Sequence, residues 1–467
     1  MAKKTLLRGG SVVTMDRARG EYERADVLIE GAHIAAVEPD LDVDADETIA
    51  VAGKIVMPGL IDCHTHLWQT PVRGLASGCW GREYFSVVHP LSARYRPEDV
   101  HAATYGGAME FLSHGVTTVL DFCHSTNSPE HADASVDALI ASGIRAFFGY
   151  GFRDRPEVDE RHFESPDERV RDVQRLYDQR EGSDGGRVRL AVALNNIEHI
   201  DAESQARELG CARDLGIKAT VHSNLPGQVS LTSERDLLGP DILWVHCGAI
   251  ADPELELLSD TGGAVISSPE IEAGLMAVTP VIGRALRHSV PVGIGVDIPT
   301  AVSGDLLCQA RIAFALNRLL DAQLERIQGR EPRRTPWSPT LDARRMLELA
   351  TIDAARILGI EDQTGSVTPG KLADLLVLST DPFGVGGGDL LNHVLFQASV
   401  ADVDSVFVAG EARVSAGRLV DIDERGMRRR LDEARDWVLG RSPGAEWPEL
   451  TPAAKAMYED RQGAPVA

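Results

Sequence analysis

An α/β fold, a (β/α)8 barrel of the TIM type inserted into a small β-sandwich, is what this sequence predicts, and three observations predict it. Short β-rich pieces lie at both ends of the chain. Between them, eight apolar runs alternate with helical stretches over roughly 250 residues, the texture of parallel strands joined by helical crossovers. Several of those runs end in histidine or aspartate, at the strand ends where barrel active sites are assembled.

Composition sets the outer bounds. The chain has 467 residues, enough for a large core and more than one small domain. Its 47 basic and 71 acidic residues leave a net charge of −24, which argues against a nucleic-acid or anionic-membrane partner. A small-molecule substrate is the expected partner. The first ten residues carry two lysines but no apolar segment of the kind a secretory signal needs. No window is apolar for long enough to span a membrane. Six scattered cysteines form no CxxC pair and no dense framework, so reduced thiols and a cytoplasmic location are expected.

Residues 1–57 read as the first part of the sandwich. Ser11–Met15, Asp26–Glu30 and His33–Val37 are β-rich and separated by glycine or charge. Residues 58–360 read as the barrel, its first strand beginning just upstream. The expected strands are Ile55–Ile61, Thr117–Phe122, Ile144–Tyr150, Val188–Leu194, Lys218–His222, Ile242–His246, Ala264–Ser267 and Val292–Val296. Pro97–His114, Ala132–Ser142, Ser165–Gln179, Ala202–Leu215 and Thr279–Arg287 are the expected crossover helices. A long helix over Asp305–Leu324, a charged Pro-rich link over Gln328–Pro339 and one helix over Asp342–Leu358 follow. Residues 361–422 return to β texture, at Ala373–Leu378 and Val403–Val408, and read as the second part of the sandwich. Residues 423–467 form a tail that is helical to about Leu439.

The chemistry is concentrated at strand ends. Strand one runs into His64 and His66, the fifth ends at His222, the sixth at His246, and the eighth at Asp297. Residues i and i+2 of a strand share a face, so His64 and His66 can point at one spot. A single strand-end histidine is more often structural than a ligand. Three histidines and an aspartate on three strands, with His246 beside them, are suited to hold one divalent metal with a position left open for water.

The segment Pro58-Gly59-Leu60-Ile61-Asp62-Cys63-His64-Thr65-His66 resembles the signature of the amidohydrolase superfamily. Gly115–Asp121 and Gly365–Leu375 resemble two further recurring segments of that superfamily, and the likeness extends to about residue 420. Within it, the stretch from His64 through Leu67-Trp68-Gln69 is most similar to the cytosine deaminase and triazine hydrolase branch. The resemblance implies His64, His66, His222 and Asp297 as metal ligands. It implies Asp297 as the acid–base group and His246 as the group orienting water or substrate. It places Gln69 as a substrate contact. Binuclear relatives carry a lysine at the end of strand four; Asn195 and Asn196 stand there, so one metal per subunit is implied, zinc first and iron as the alternative. A homodimer is implied at the same level.

One departure matters. The branch usually has a proton-shuttling glutamate three positions after the strand-five histidine, and this chain has Leu225. Leucine transfers no proton. Glu270, after strand seven, is the candidate replacement acid, against a solvated or ion-paired role. Trp68, Trp80 and Tyr84 in the loop after strand one could stack a flat substrate or simply pack the loop. His124, after strand two, could edge the pocket. The expected activity is metal-dependent hydrolysis of a C–N bond, as a deaminase or a cyclic-amide or amidine hydrolase, in a small heterocyclic or aromatic molecule. Two rivals stand beside it: the same site used for dechlorination or a lyase or decarboxylase reaction, and a non-catalytic scaffold that keeps the barrel.

Overall fold

A computed structural model describes residues 2–152, 162–331, 341–380, 383–385 and 388–441. Five strands open the chain: β1 (Lys4–Val13), β2 (Glu21–Glu30), β3 (His33–Glu38), β4 (Glu47–Ala50) and β5 (Lys54–Pro58). Eight more build the barrel: β6 (Leu60–Thr65), β7 (Val116–Cys123), β8 (Arg145–Gly151), β9 (Val188–Ala193), β10 (Lys218–Ser223), β11 (Ile242–His246), β12 (Ala264–Ser267) and β13 (Val292–Ile294). Four close the described chain: β14 (Leu375–Ser379), β15 (Val403–Val408), β16 (Glu411–Ser415) and β17 (Arg418–Leu419).

The barrel strands pair in parallel, each with its sequence neighbour from β6 to β13, with helices between them. Closure is short and specific. Thr65 and Asp297 form a parallel bridge, the His66 amide donates to the Asp297 carbonyl, and the Asp297 amide donates to the His64 carbonyl, both at 2.9 Å. Beneath this seam the buried Asp62 carboxylate accepts the amides of His64 (2.9 Å) and Val296 (2.8 Å). The last turn of the barrel is therefore tied at the residues that carry the chemistry.

The terminal pieces form one hydrogen-bonded, nine-stranded mixed sheet in the order β17-β16-β15-β14-β5-β1-β2-β3, with β4 on β1. The N- and C-terminal pieces meet where β5 pairs antiparallel with β14. This sheet has its own apolar cluster, including Leu7, Val27, Ile29, Val56, Leu375, Val377 and Phe407.

Two elements differ from expectation. The run Ile55–Ile61 is divided: β5 belongs to the terminal sheet and β6 to the barrel, with Gly59 between them. A Cβ on Gly59 would sit 2.2 Å from the Thr117 side chain, so only glycine lets the chain cross there. The helix expected over Asp342–Leu358 is two helices, Ala343–Leu349 and Ile352–Leu358. At the break the Ala350 carbonyl accepts from the Ile61 amide of β6 at 2.8 Å, which turns it away from continuing the helix. Most of the link over Gln328–Pro339 lies outside the described residues, as does the tail beyond residue 441.

The tail helix Glu424–Val438 lies on helix Pro97–Ser113; Trp437 donates its indole N–H to the Arg94 carbonyl at 3.0 Å. A buried ion pair, Arg145 Nε to Asp374 Oδ2 at 2.7 Å, ties β8 to the loop before β14, and Asp374 also accepts the Ala409 amide. Asp374→Ala would leave Arg145 as a buried unpaired charge. A loss of about 3–5 kcal/mol is expected, read as a lowered urea midpoint.

Candidate active site

Four histidine rings and one carboxylate converge at the mouth of the barrel, each from a different strand end except the first pair. His64 is the next-to-last residue of β6 and is fully buried. His66 follows one residue beyond the strand, and its Nδ1 donates to the Phe122 carbonyl of β7 at 2.7 Å. That bond fixes the tautomer and leaves Nε2 free to act as a ligand. Nε2 of both His64 and His66 lies 3.3 Å from Asp297 Oδ1. His222 in β10 lies beside them, its ring centroid 5.0 Å from that of His64 and 5.4 Å from that of His66. His246, the last residue of β11, holds Nε2 3.6 Å from Asp297 Oδ2.

The backbone is bent to make this possible. His246, Cys247 and Asp297 have φ values of 74°, 60° and 75°, a region uncommon for residues with side chains. Each turns the chain sharply at a strand end, and such strain persists only where the surrounding structure enforces it.

Electrostatics follow from burial. His64 is held down at about 4 chiefly by desolvation, which outweighs the opposing pull of Asp297, with His66 and His246 adding to the lowering. His222 is pushed well below its ordinary value for the same reasons. Asp297 lies well below the ordinary carboxylate range: burial would raise it, but His64 and His66 overcome that. His246 is raised, because Glu272 and Asp297 overcome its desolvation. Asp121, buried and accepting the Leu67 amide at 2.9 Å, is pushed up to about 7 by burial. The lowered His64 and His222 beside an ionised Asp297 are in the direction that metal binding needs.

The donor set fits a divalent cation on its own geometry. His64, His66 and Asp297 bring one ligand atom each within 4.8 Å of one another, and so do His64, His222 and His246. Ligands about 2.0–2.1 Å from a tetrahedral zinc lie roughly 3.3 Å apart, which is the spacing His64 and His66 each keep from Asp297. Neither ring nitrogen of the buried His64 has a hydrogen-bond partner. A buried polar side chain left so is costly unless something else satisfies it.

The other expected residues are placed unevenly. His124 lies in the cluster, stacked at 10° on His222 and 4.7 Å from the His66 ring. Trp68 is fully buried, edge-on to Tyr95 and His124, as packing of the wall. Gln69 is buried and its amide is engaged: Nε2 donates to Tyr84 Oη (2.7 Å) and Oε1 accepts from Thr300 Oγ1 (2.5 Å). It therefore joins the loop after β6 to the loop after β13. Trp80 is 61% exposed, so its ring is not packed into the wall with Trp68. Glu270 turns to Gln309, its carboxylate accepting from Nε2 at 2.8 Å and its backbone amide donating to Oε1 at 3.0 Å. Two residues on, Glu272 is fully buried with Oε1 3.4 Å from His246 Nδ1. Glu272 and the seam residue Asp62 are site residues that sequence reasoning misses. Asp62 stands inside the Pro58–His66 signature, which was the available signal; Glu272 had none beyond being one of two carboxylates in its segment.

Known proteins share this architecture. Residues 55–413 match the model of the family described as "Amidohydrolase family". The 5'-deoxyadenosine deaminase of Methanosarcina mazei is 24% identical over 453 residues, covering 93% of this chain and 98% of the relative. The 5-methylthioadenosine/S-adenosylhomocysteine deaminase of Symbiobacterium thermophilum is 26% identical over 432 residues, covering 87% and 93%. Among solved structures, an adenosine deaminase from Xanthomonas campestris with bound zinc shares the fold at a TM-score of 0.81 and 23% identity, covering 94% of this chain and 99% of that one. An atrazine chlorohydrolase from Arthrobacter aurescens in complex with zinc does so at 0.79 and 24%, covering 92% and 100%. With a family model spanning most of its length and a buried His/Asp centre at the barrel mouth, this chain belongs to the Amidohydrolase family, as a metal-dependent hydrolase of carbon–nitrogen bonds other than peptide bonds.

Proposed function

We propose that the chain is a mononuclear, zinc-dependent deaminase that replaces the exocyclic amino group of a planar heterocycle, a 6-aminopurine nucleoside in the first instance, by oxygen. The buried, hydrogen-bond-free His64 at the centre of the ligand trios carries this reading. The names of the relatives support the substrate class. One metal is favoured because Asn195, where a bridging lysine would stand, is committed to Glu208, its Nδ2 donating to Oε1 at 2.8 Å and its backbone amide to Oε2 at 2.9 Å.

His64, His66, His222 and Asp297 would hold the metal, which supplies Lewis acidity that makes water a nucleophile near neutral pH. Asp297 stays ionised and accepts the proton that the attacking water gives up, then passes it to the departing nitrogen. His246, with Nε2 turned toward Asp297, orients water and polarises the substrate. The rings of Phe122 and His124 stand beside the cluster, tilted 35° to each other, and offer aromatic surface to a planar substrate. A cytoplasmic homodimer belongs to the same proposal. All six cysteines are unpaired, and no helix among the described residues is long and apolar enough to cross a membrane; the dimer rests on the family resemblance.

Leu225 favours a second reading. Its side chain offers no proton to a ring nitrogen, which suits a leaving group that departs without one, such as chloride from a chlorinated triazine. The zinc-loaded protein, incubated with aminopurine nucleosides, aminotriazines and chlorotriazines, separates the two. Ammonia from the aminopurines is expected. Chloride without ammonia would establish the second reading, and loss of carbon dioxide from a carboxylated analogue would point to a lyase. Tight binding with no turnover of any compound would mean a scaffold.

A further inference from the structure

Helix Pro269–Gly274 begins directly after β12, and its Glu272 side chain is built into the site rather than resting beside it. Oε2 accepts from Ser267 Oγ at 2.6 Å and Oε1 accepts the Ser268 amide at 2.8 Å. These bonds hold the carboxylate in one orientation, with no exposed surface. Oε1 then faces His246 Nδ1 at 3.4 Å, close but not aligned as a finished hydrogen bond. Catalytic hydrogen bonds are often long before substrate binds. On the far side of the ring, Nε2 looks toward Asp297.

His246 needs such a partner. His246 ends the β10–β11 ladder opposite Ser223 with its backbone at φ 74°, off the extended conformation, so strand alternation alone does not set where the ring points. Its Nδ1 is buried and makes no other hydrogen bond. We propose that Glu272 is a positioning residue, which holds the His246 ring with Nδ1–H toward its carboxylate and Nε2 toward Asp297 and the substrate. A carboxylate behind an imidazole sets which nitrogen carries the hydrogen and which is presented to the reaction. The kinetic part of the test rests on the deaminase reading; the spectroscopic part does not.

The test uses the zinc-loaded full chain labelled with 15N-histidine, with the His246 signals identified by their loss in His246→Asn. In the wild type, Nδ1 of His246 is expected to carry a hydrogen. In Glu272→Ala that assignment is lost, with the ring exchanging between tautomers. Glu272→Gln retains it, since its amide oxygen still accepts from Ser268 N–H and Nδ1–H and its amide nitrogen donates to Ser267 Oγ. It also guards against Glu272→Ala failing to fold. An Nδ1 without hydrogen in the wild type, or an unchanged signal in Glu272→Ala, would overturn the proposal whatever the substrate proves to be.

On a turned-over substrate, Glu272→Ala should lower kcat by about 10–100-fold with little change in KM, the range typical of partners that orient catalytic imidazoles. Added to His246→Asn, the same substitution should cost almost nothing further. An equal loss in both backgrounds would show that Glu272 acts through general stability and not through His246. If no compound is turned over, the deaminase reading falls while the spectra still decide the role of Glu272.

Discussion

Purified without chelator, the protein is expected to hold about one zinc per subunit, and a His64→Ala variant almost none, with kcat lower by more than about a thousandfold. The size of the effect follows from position. His64 is shared by both groups of converging ligand atoms, so its removal weakens every arrangement those residues could offer a metal. It is also fully buried with no hydrogen bond completed at either ring nitrogen, so what its side chain loses is the 3.3 Å approach of Nε2 to Asp297. Metal analysis with circular dichroism on the same samples checks this. A folded variant that retains wild-type zinc would remove His64 from the ligand set. Two equivalents in the wild type would contradict the mononuclear reading, and none in a folded, unchelated protein would revive the scaffold.

Gly295→Ala should be nearly as damaging without touching a ligand. A Cβ at Gly295 would sit 2.6 Å from the carbonyl oxygen of His64, 2.8 Å from its amide nitrogen and 3.0 Å from its Cβ. The obstruction is mostly backbone, so no side chain can swing aside; the seam between β6 and the chain after β13 must open. Overpacking of this kind costs about 1–3 kcal/mol. Because the displaced residue is His64, an ångström of movement can cost roughly a hundredfold in rate. Thermal melts and steady-state kinetics should fall together. Gly210→Ala is the control: that glycine lies inside helix Ala202–Leu215, has nothing within 4 Å of a built Cβ, and should gain about 0.5–1 kcal/mol. Activity lost equally in both variants would sink the argument from the seam.

Much of this site is legible in the sequence. Alternation of apolar runs with helical stretches marks eight parallel strands, because a βαβ unit writes both periods into the chain. His64, His66, His222, His246 and Asp297 could be singled out because each stands at or just past the end of such a run, and barrel topology gathers those ends at one mouth. The loops beyond the strand ends were less legible. Gln69 falls at a position that suggests a substrate contact, yet its amide is engaged by Tyr84 and Thr300, and Thr300 is far away in sequence.

Glu270 and Glu272 mark the boundary between the two kinds of knowledge. The sequence by itself determined that a carboxylate follows strand seven near the barrel mouth. Which one reaches the centre depended on Pro269 starting a helix there, since residues two apart on a helix point about 200° from each other. One side chain therefore turned to Gln309 and the other to His246. The division of Ile55–Ile61 between two sheets was likewise invisible, because an apolar run reads the same whichever sheet pairs with it. Strand identity and strand-end chemistry are local properties of the chain. Partner choice is decided by packing between distant segments, and only the tertiary structure holds that information.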